Sequence, residues 1–277
     1  MSKRVEPATN EWPQCGGAKQ PEPVTAGELE QRVSAAMAAM RTHDYSHLVV
    51  YGDREHFANI AYLTGYDPRF EEAILIIGRE RPPLLLIGNE GEGYLPVSPL
   101  VRNGSLRTEV YQPLSLLDQP RGRSRQLKGI LSSEGIDARS RVGCVGWKYY
   151  SESEDVLGKR ALEIPAFIVD HLRDLCGADH VENATGIFMS PDGGLRTRCS
   201  AWEIAYFEYT GVLASEAMRA MLMALEPGKL DYEVVAAMLY TGEPLGCHLT
   251  FVSGENREKA LSGPVGATLR EGDPFAS

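Results

Sequence analysis

The spacing of apolar residues divides the first part of the chain into alternating helices and strands. Leu29, Val33, Met37 and Met40 fall on one face of a helix predicted over 26–43. Short apolar runs then predict buried strands in "HLVVYG", "AILIIG", "PLLLIG" and "SRVGCVGW". Helices are predicted between them in "REHFANIAYL" and "SRQLKGILSSEG". Because strands alternate with helices, we expect an α/β layer of about five strands.

The pattern changes in the last third of the chain. Ser200 and Glu203 have the spacing of a capping box, in which each side chain bonds the other residue's backbone N–H. A long helix is predicted from there, and Pro227-Gly228 ends it. A second helix is predicted over "DYEVVAAMLYTG", then a strand over "CHLTFVSG" and the start of another in "LREGDPFAS". This order is typical of the opening half of an α+β unit.

These patterns predict three segments: a disordered tail over 1–25, an α/β domain over 26–185 and a partial α+β domain over 186–277. The tail is polar and rich in Pro and Gly, without the apolar stretch of a signal peptide. No run of about eighteen apolar residues occurs, so we expect no membrane span.

The composition limits the kinds of binding partner and the cellular compartment that we expect. A net charge of −10 repels phosphate, so we expect no general binding to nucleic acid or to anionic membranes. The five cysteines lie far apart and form no CxxC pair, which favours reduced thiols in a cytoplasmic protein. They are Cys15, Cys144, Cys176, Cys199 and Cys247.

Two short patterns could indicate a ligand site, and in each a structural interpretation is favoured. His43 and His47 are four residues apart, as in helical metal sites, but the intervening residues span a helix end, so a solvated helix terminus is favoured. The loop Gly88–Gly93 is rich in glycine, yet Glu90 and Glu92 would repel phosphate, so a turn is favoured.

A cysteine nucleophile is a third possibility. Cys199 or Cys247 could act with His248, but adjacent residues on a strand face opposite sides, so plain buried cysteines are favoured. No residue is therefore assigned a catalytic or metal-binding role, and the substrate-binding residues stay unknown.

The segment "NIAYLTGY" resembles the N-terminal domain of the creatinase, prolidase and Xaa-Pro aminopeptidase family. The positions in register with that family's pattern are Asn59, Ile60, Tyr62, Leu63, Thr64 and Gly65. Thr64-Gly65 suits a turn because glycine reaches backbone angles that other residues avoid.

The later region is similar to the start of that family's catalytic pita-bread domain. Matching positions are Leu195, Arg196, Ser200, Glu203 and Ile204, with Cys199 in place of the usual Lys. "LEPGKLDYEVVA", "VSGEN" and "LREGDPF" are similar to three further family stretches. The resemblance covers 26–277 and implies a creatinase-like N-terminal α/β domain followed by an incomplete α+β pita-bread domain.

The resemblance implies a homodimeric hydrolase of small Xaa-Pro peptides or related C–N bonds. It also implies divalent Mn, Co or Zn, but the family's first metal ligand would follow Asp273 at position 278, one past Ser277, and the others later. Leu261 stands where the family carries a functional His, and leucine cannot transfer a proton.

We therefore expect this chain to be catalytically incompetent and to hold no cofactor, with a divalent metal only in a longer form that supplies the ligands. The alternative is a non-catalytic relative that serves dimerisation or small-ligand binding. A third possibility is a truncated product with no role of its own.

Overall fold

The computed structural model describes residues 11, 16–17, 19–259 and 261–277. Its contacts divide the chain into two compact units, one over 23–199 and the other over 200–277 together with the described residues up to Glu22. Most of the predicted tail over 1–25 lies outside the described residues. At its end, Thr25 caps the first helix, since its side chain accepts the N–H of Glu28.

The first unit is built on one mixed sheet of six strands in the order β4-β3-β2-β1-β5-β6. β2 is antiparallel to β1 and β3, and the other three pairings are parallel. The strands are β1 (His47–Gly52), β2 (Ala73–Gly78), β3 (Leu84–Ile87), β4 (Arg107–Val110), β5 (Val142–Val145) and β6 (Val181–Asn183). The four strands predicted from apolar runs are confirmed.

Helices and short helical turns cover both faces of this sheet. They are α1 (Ala26–Thr42), α2 (Ala58–Thr64), α3 (Gly91–Tyr94), α4 (Pro99–Arg102), α5 (Leu127–Ser133), α6 (Ala166–Cys176) and α7 (Gly186–Met189). One core cluster joins α1, α2 and α7 to the sheet face that carries Leu48 and Leu75. A second cluster joins α5 and α6 to the opposite face, which carries Val49 and Ile74. Successive strand residues therefore pack on opposite faces of the sheet, as expected for side chains that alternate along a strand.

Two boundaries in the first unit differ from the sequence-based expectation. α2 begins at Ala58 and not at Arg54, because the Asp53 carboxylate accepts the N–H of Glu55 and His56 and holds a turn there. At the other end, the first unit extends past the predicted boundary between 185 and 186, because Ile187 and Phe188 of α7 pack into its core.

The second unit contains α8 (Ala201–Met223), α9 (Asp231–Ala236) and an antiparallel pair, β7 (Val252–Ser253) with β8 (Phe275–Ala276). Its core consists of Met221, Val234, Phe251 and Leu269. The predicted capping box at the start of α8 is confirmed.

α9 and β7 are both shorter than predicted. Leu239, in the second half of the predicted helix, is 77% exposed and has a φ of +54°. A short helix is marginal without tertiary packing, so α9 ends where its buried residues end. Within the described residues, no helix combines the length and apolar character needed to cross a bilayer.

Candidate functional site

The two family-like segments of the first unit lie against each other. The buried Asn59 side chain donates to the carbonyl of Gly146 at 2.7 Å and accepts from Arg196 Nη1 at 3.0 Å. The Tyr62 hydroxyl donates to the carbonyl of Leu195 at 3.2 Å. Two partly buried hydrogen bonds thus join segments that were recognised separately in the sequence, one around position 60 and one around position 195. These contacts also tie both segments to the end of β5.

The carboxyl ends of β1 and β5 meet at a topological switch point. From β1 the chain continues to β2 on one side of it, and it later returns to β5 on the other side, parallel to β1. In open α/β sheets, such a crevice is where ligands bind. Asp53 follows β1 directly, and Gly146, Trp147 and Lys148 follow β5.

The side chains at this edge form a compact group, which we call the switch-point cluster: Asp53, His56, Trp147, Lys148 and Glu163. The rings of His56 and Trp147 stack with centroids 4.2 Å apart. Asp53 Oδ2 lies 3.2 Å from His56 Nδ1, and Lys148 Nζ lies 3.9 Å from the centroid of the Trp147 ring. Trp147 stays 45% exposed, so the cluster presents an aromatic surface with an imidazole and an ammonium beside it.

Glu163 lies under the turn that follows β5. Its carboxylate accepts the N–H of Trp147 at 2.9 Å and of Lys148 at 3.1 Å. Burial raises the pKa of Glu163, and these two amide donors act in the opposite direction. The approach requires glycine at 146, because a Cβ there would overlap Glu163 Oε1. The cluster could not be predicted from the sequence because its members come from three separate loops.

The histidine pair of the sequence is divided between a helix end and a strand. His43 caps α1 and is exposed, as predicted. His47 is buried in β1 with Nε2 3.1 Å from the carbonyl of Glu134, so a solvated terminus is the wrong interpretation for this residue. Burial lowers the pKa of His47. The two imidazoles therefore do not lie on one helical face.

The cysteine prediction is wrong for the two residues weighed as nucleophiles, because Cys199 and Cys247 are both exposed. They lie in segments without a buried apolar surface to pack against. The neighbouring His248 has Nε2 2.8 Å from the carbonyl of Leu261. The imidazole therefore contacts the backbone of the position where the family pattern has a histidine, while the Leu261 side chain itself is 81% exposed.

The described carboxylates of the second unit bear on the metal centre that the resemblance implies. Asp231 is 1% exposed, and its two oxygens accept the N–H of Val265 and Gly266 at 2.8 and 2.9 Å. Asp273 accepts the N–H of Arg270 at 2.9 Å. These carboxylates stabilise turns. Over the described ranges, no group of three or more His, Cys, Asp or Glu could hold a metal ion, so the residues there do not fit a divalent metal centre.

No sequence-family model matches this chain, and no curated protein does. Solved structures match over most of its length. Dipeptidase PepE from Mycobacterium ulcerans aligns with 17% identity and a TM-score of 0.60, over 89% of this chain and 58% of its own. The prolidase from Pyrococcus horikoshii OT3 aligns with 14% identity and a TM-score of 0.58, over 88% and 58%. The Xaa-Pro dipeptidase from Bacillus anthracis aligns with 10% identity and a TM-score of 0.58, over 89% and 59%.

The likeness to these peptidases is one of fold. The chain shares the fold of these peptidase structures over most of its length, as the sequence resemblance predicted, and its mixed α/β sheet fits that fold. It spans less than two thirds of the length of each of these three chains.

Proposed function

We propose that this chain carries the scaffold of a hydrolase of Xaa-Pro peptides or related C–N bonds and that the 277-residue chain is not catalytically competent. The fold shared with three peptidase structures supports the hydrolase scaffold. The proposed lack of activity rests on one observation. In the second unit, the carboxylates of Asp231 and Asp273 accept backbone N–H groups in turns and form no ligand group.

The chemical reason is the difficulty of hydrolysing an amide without an activated water. A divalent metal lowers the pKa of its bound water, and a positioned acid or base can transfer the proton. Leu261 supplies neither function. Mn, Co or Zn therefore belongs in this proposal only to a longer form that provides the ligands.

Hydrolysis of an Xaa-Pro dipeptide tests the proposal. The intact chain is assayed with added Mn, Co or Zn and again with a chelator, and the same rate is expected in every arm as in buffer alone. A turnover that appears with metal and disappears with the chelator contradicts the proposed incompetence.

Dimerisation is the first non-catalytic role that we propose. Of the 23 residues of α8, Met221 is the buried one, whereas Ile204, Phe207 and Met223 are 59%, 64% and 55% exposed. Exposed apolar surface of this kind marks an interaction site. A second copy of the chain is the partner that the family resemblance implies.

Small-ligand binding in the first unit is the second such role, and the switch-point cluster supports it. Trp147, which is 45% exposed, offers the uncovered part of its ring to an apolar ligand group, and Lys148 and His56, which contact the ring, offer donors beside it. A cytoplasmic location is part of the same proposal. The four described cysteines are all free thiols, as a reducing compartment maintains them.

A further inference from the structure

The glycine-rich loop Gly88–Gly93 borders a cavity of about 460 Å³ in the first unit, within the range of small-molecule sites. Its walls carry three aromatic rings, two carboxylates and one guanidinium, from Tyr66, Phe70, Tyr94, Glu71, Glu90 and Arg69. The switch-point cluster contributes no residue to these walls, and nothing in the proposed function uses them.

Glu71 is the buried charge of this cavity, with 4% of its surface exposed. One of its oxygens accepts the N–H of Glu90 at 3.2 Å and the other accepts the N–H of Gly91 at 3.0 Å. A carboxylate offers about four acceptor sites, so about two remain. Among the described residues, no cationic side chain forms an ion pair with Glu71. A buried carboxylate without a counter-ion is costly, and a cationic ligand would remove that cost.

The glycines of the loop allow the close approach that forms the cavity. A Cβ at Gly88 would lie 2.5 Å from Glu71 Oε2, and a Cβ at Gly91 would lie 2.5 Å from Tyr66 Oη. The loop amides therefore hold a carboxylate of the chain itself, in the place where a phosphate-binding loop would hold its ligand. The predicted turn is confined to Asn89 and Glu90, since α3 begins at Gly91, and Gly88 and Gly91 have a specific steric reason.

The aromatic walls suit a cation. The rings of Tyr66 and Tyr94 have centroids 5.7 Å apart, and Phe70 is 52% exposed. Aromatic faces attract ammonium and guanidinium groups. Arg69 already places its Cζ 5.7 Å from the centroid of the Tyr94 ring. Its own charge is opposed by Asp67, whose Oδ1 lies 3.9 Å from Arg69 Nε.

We propose that this cavity binds an organic ammonium ion, with Glu71 as its counter-ion and the rings of Tyr66, Phe70 and Tyr94 around its alkyl groups. Two carboxylates on the walls oppose an anionic ligand. A bare metal ion is disfavoured, because the described residues contain no group of three or more His, Cys, Asp or Glu that could hold one. The inference is independent of the hydrolase proposal, since it concerns only the first unit.

Calorimetric titration of the full chain with choline tests the proposal. The neutral isostere 3,3-dimethylbutan-1-ol has the same shape without the charge, and we expect it to bind at least about tenfold more weakly. Glu71→Gln is expected to weaken choline binding by at least about tenfold. Glu92→Gln removes a charge from the same loop at a position outside the cavity, where the side chain pairs with Arg123, and is expected to leave binding unchanged.

A second variant keeps the test decisive if Glu71→Gln does not fold. Arg69→Gln removes the one positive charge from the walls and is expected to tighten choline binding, whereas it would weaken binding in a cavity made for anions. The proposal is overturned if the neutral alcohol binds as well as choline. It is equally overturned if a folded Glu71→Gln variant binds choline unchanged, or if neither choline nor butylammonium binds at about 10 mM.

Discussion

At the scale of single residues, Glu163 and Asn59 hold the carboxyl edge of the first sheet together. Glu163 bonds the backbone that follows β5, and Asn59 bonds the carbonyl of Gly146 from α2. Both side chains therefore constrain the same short turn, which presents Trp147. The conformation of the switch-point cluster depends on two polar side chains that themselves face inward.

The raised pKa of Glu163 predicts a pH dependence of stability. Because burial makes the folded state bind this proton more tightly, the stabilisation is fully present below the unfolded pKa of about 4.5 and is lost as pH rises through the folded pKa. Glu163→Gln has no such proton. We expect the unfolding free energy of the wild type, relative to this variant, to fall from pH 4 to pH 7 in urea titrations. A difference that rises over this range would contradict the assignment.

Asn59→Leu should destabilise the first unit. The change leaves the buried carbonyl of Gly146 without its side-chain donor, which costs about 1–3 kcal/mol. Chemical denaturation followed by tryptophan fluorescence measures the loss. Asn103→Ala serves as a control, because its side chain lies at the surface and its loss should be smaller. Equal losses of unfolding free energy in the two variants would contradict the structural role of Asn59.

At the scale of elements, local signals were reliable where they coincided with burial. The Ser200–Glu203 box and the periodic apolar face of α1 predicted two helices that the structure contains. β4 and β6 were missed because their residues are only partly buried or too few to form an apolar run. α9 was overestimated because the sequence does not reveal that Leu239 and Tyr240, which follow Met238, are exposed.

Ser200→Ala tests the contribution of the cap to α8. Ser200 Oγ accepts the N–H of Glu203 at 3.2 Å, and Glu203 Oε2 accepts the N–H of Ser200 at 2.8 Å. Removing the hydroxyl is expected to lower the stability of the second unit by about 1 kcal/mol. The change is read from the midpoint of thermal unfolding. Ser215→Ala, in the middle of the same helix, is the matched control and should change the midpoint little.

At the scale of the whole molecule, the fold could be predicted from the sequence and the candidate sites could not. The family-like segments were short but appeared in order, and each reports local backbone geometry that a fold preserves. The switch-point cluster and the cavity beside Glu71 are each formed by loops that are separate in the sequence. Glu71 and the N–H of Gly91, for example, are twenty residues apart in the sequence, and the folded chain places them 3.0 Å apart.

Self-association is the prediction that belongs to the molecular surface. If a second copy covers the apolar residues of α8, sedimentation will give a dimer mass for the wild type. Phe207→Glu should then shift the mass towards the monomer, because Phe207 is 64% exposed and a charge would be buried in the contact. Glu208→Gln, at the exposed neighbouring position, should remain dimeric. A wild type that sediments as a monomer at high concentration would exclude this role for α8.

Metal binding by the intact chain tests the central claim most directly. Purified protein is dialysed against Mn, Co or Zn and then against metal-free buffer, and the retained metal is measured by mass spectrometry. Because the carboxylates of Asp231 and Asp273 bond backbone amides in turns, we expect the protein to retain far less than one metal per chain. We also expect no change in the midpoint of unfolding. One or two retained metals per chain, with a raised midpoint that a chelator reverses, would show a metal centre and contradict the account.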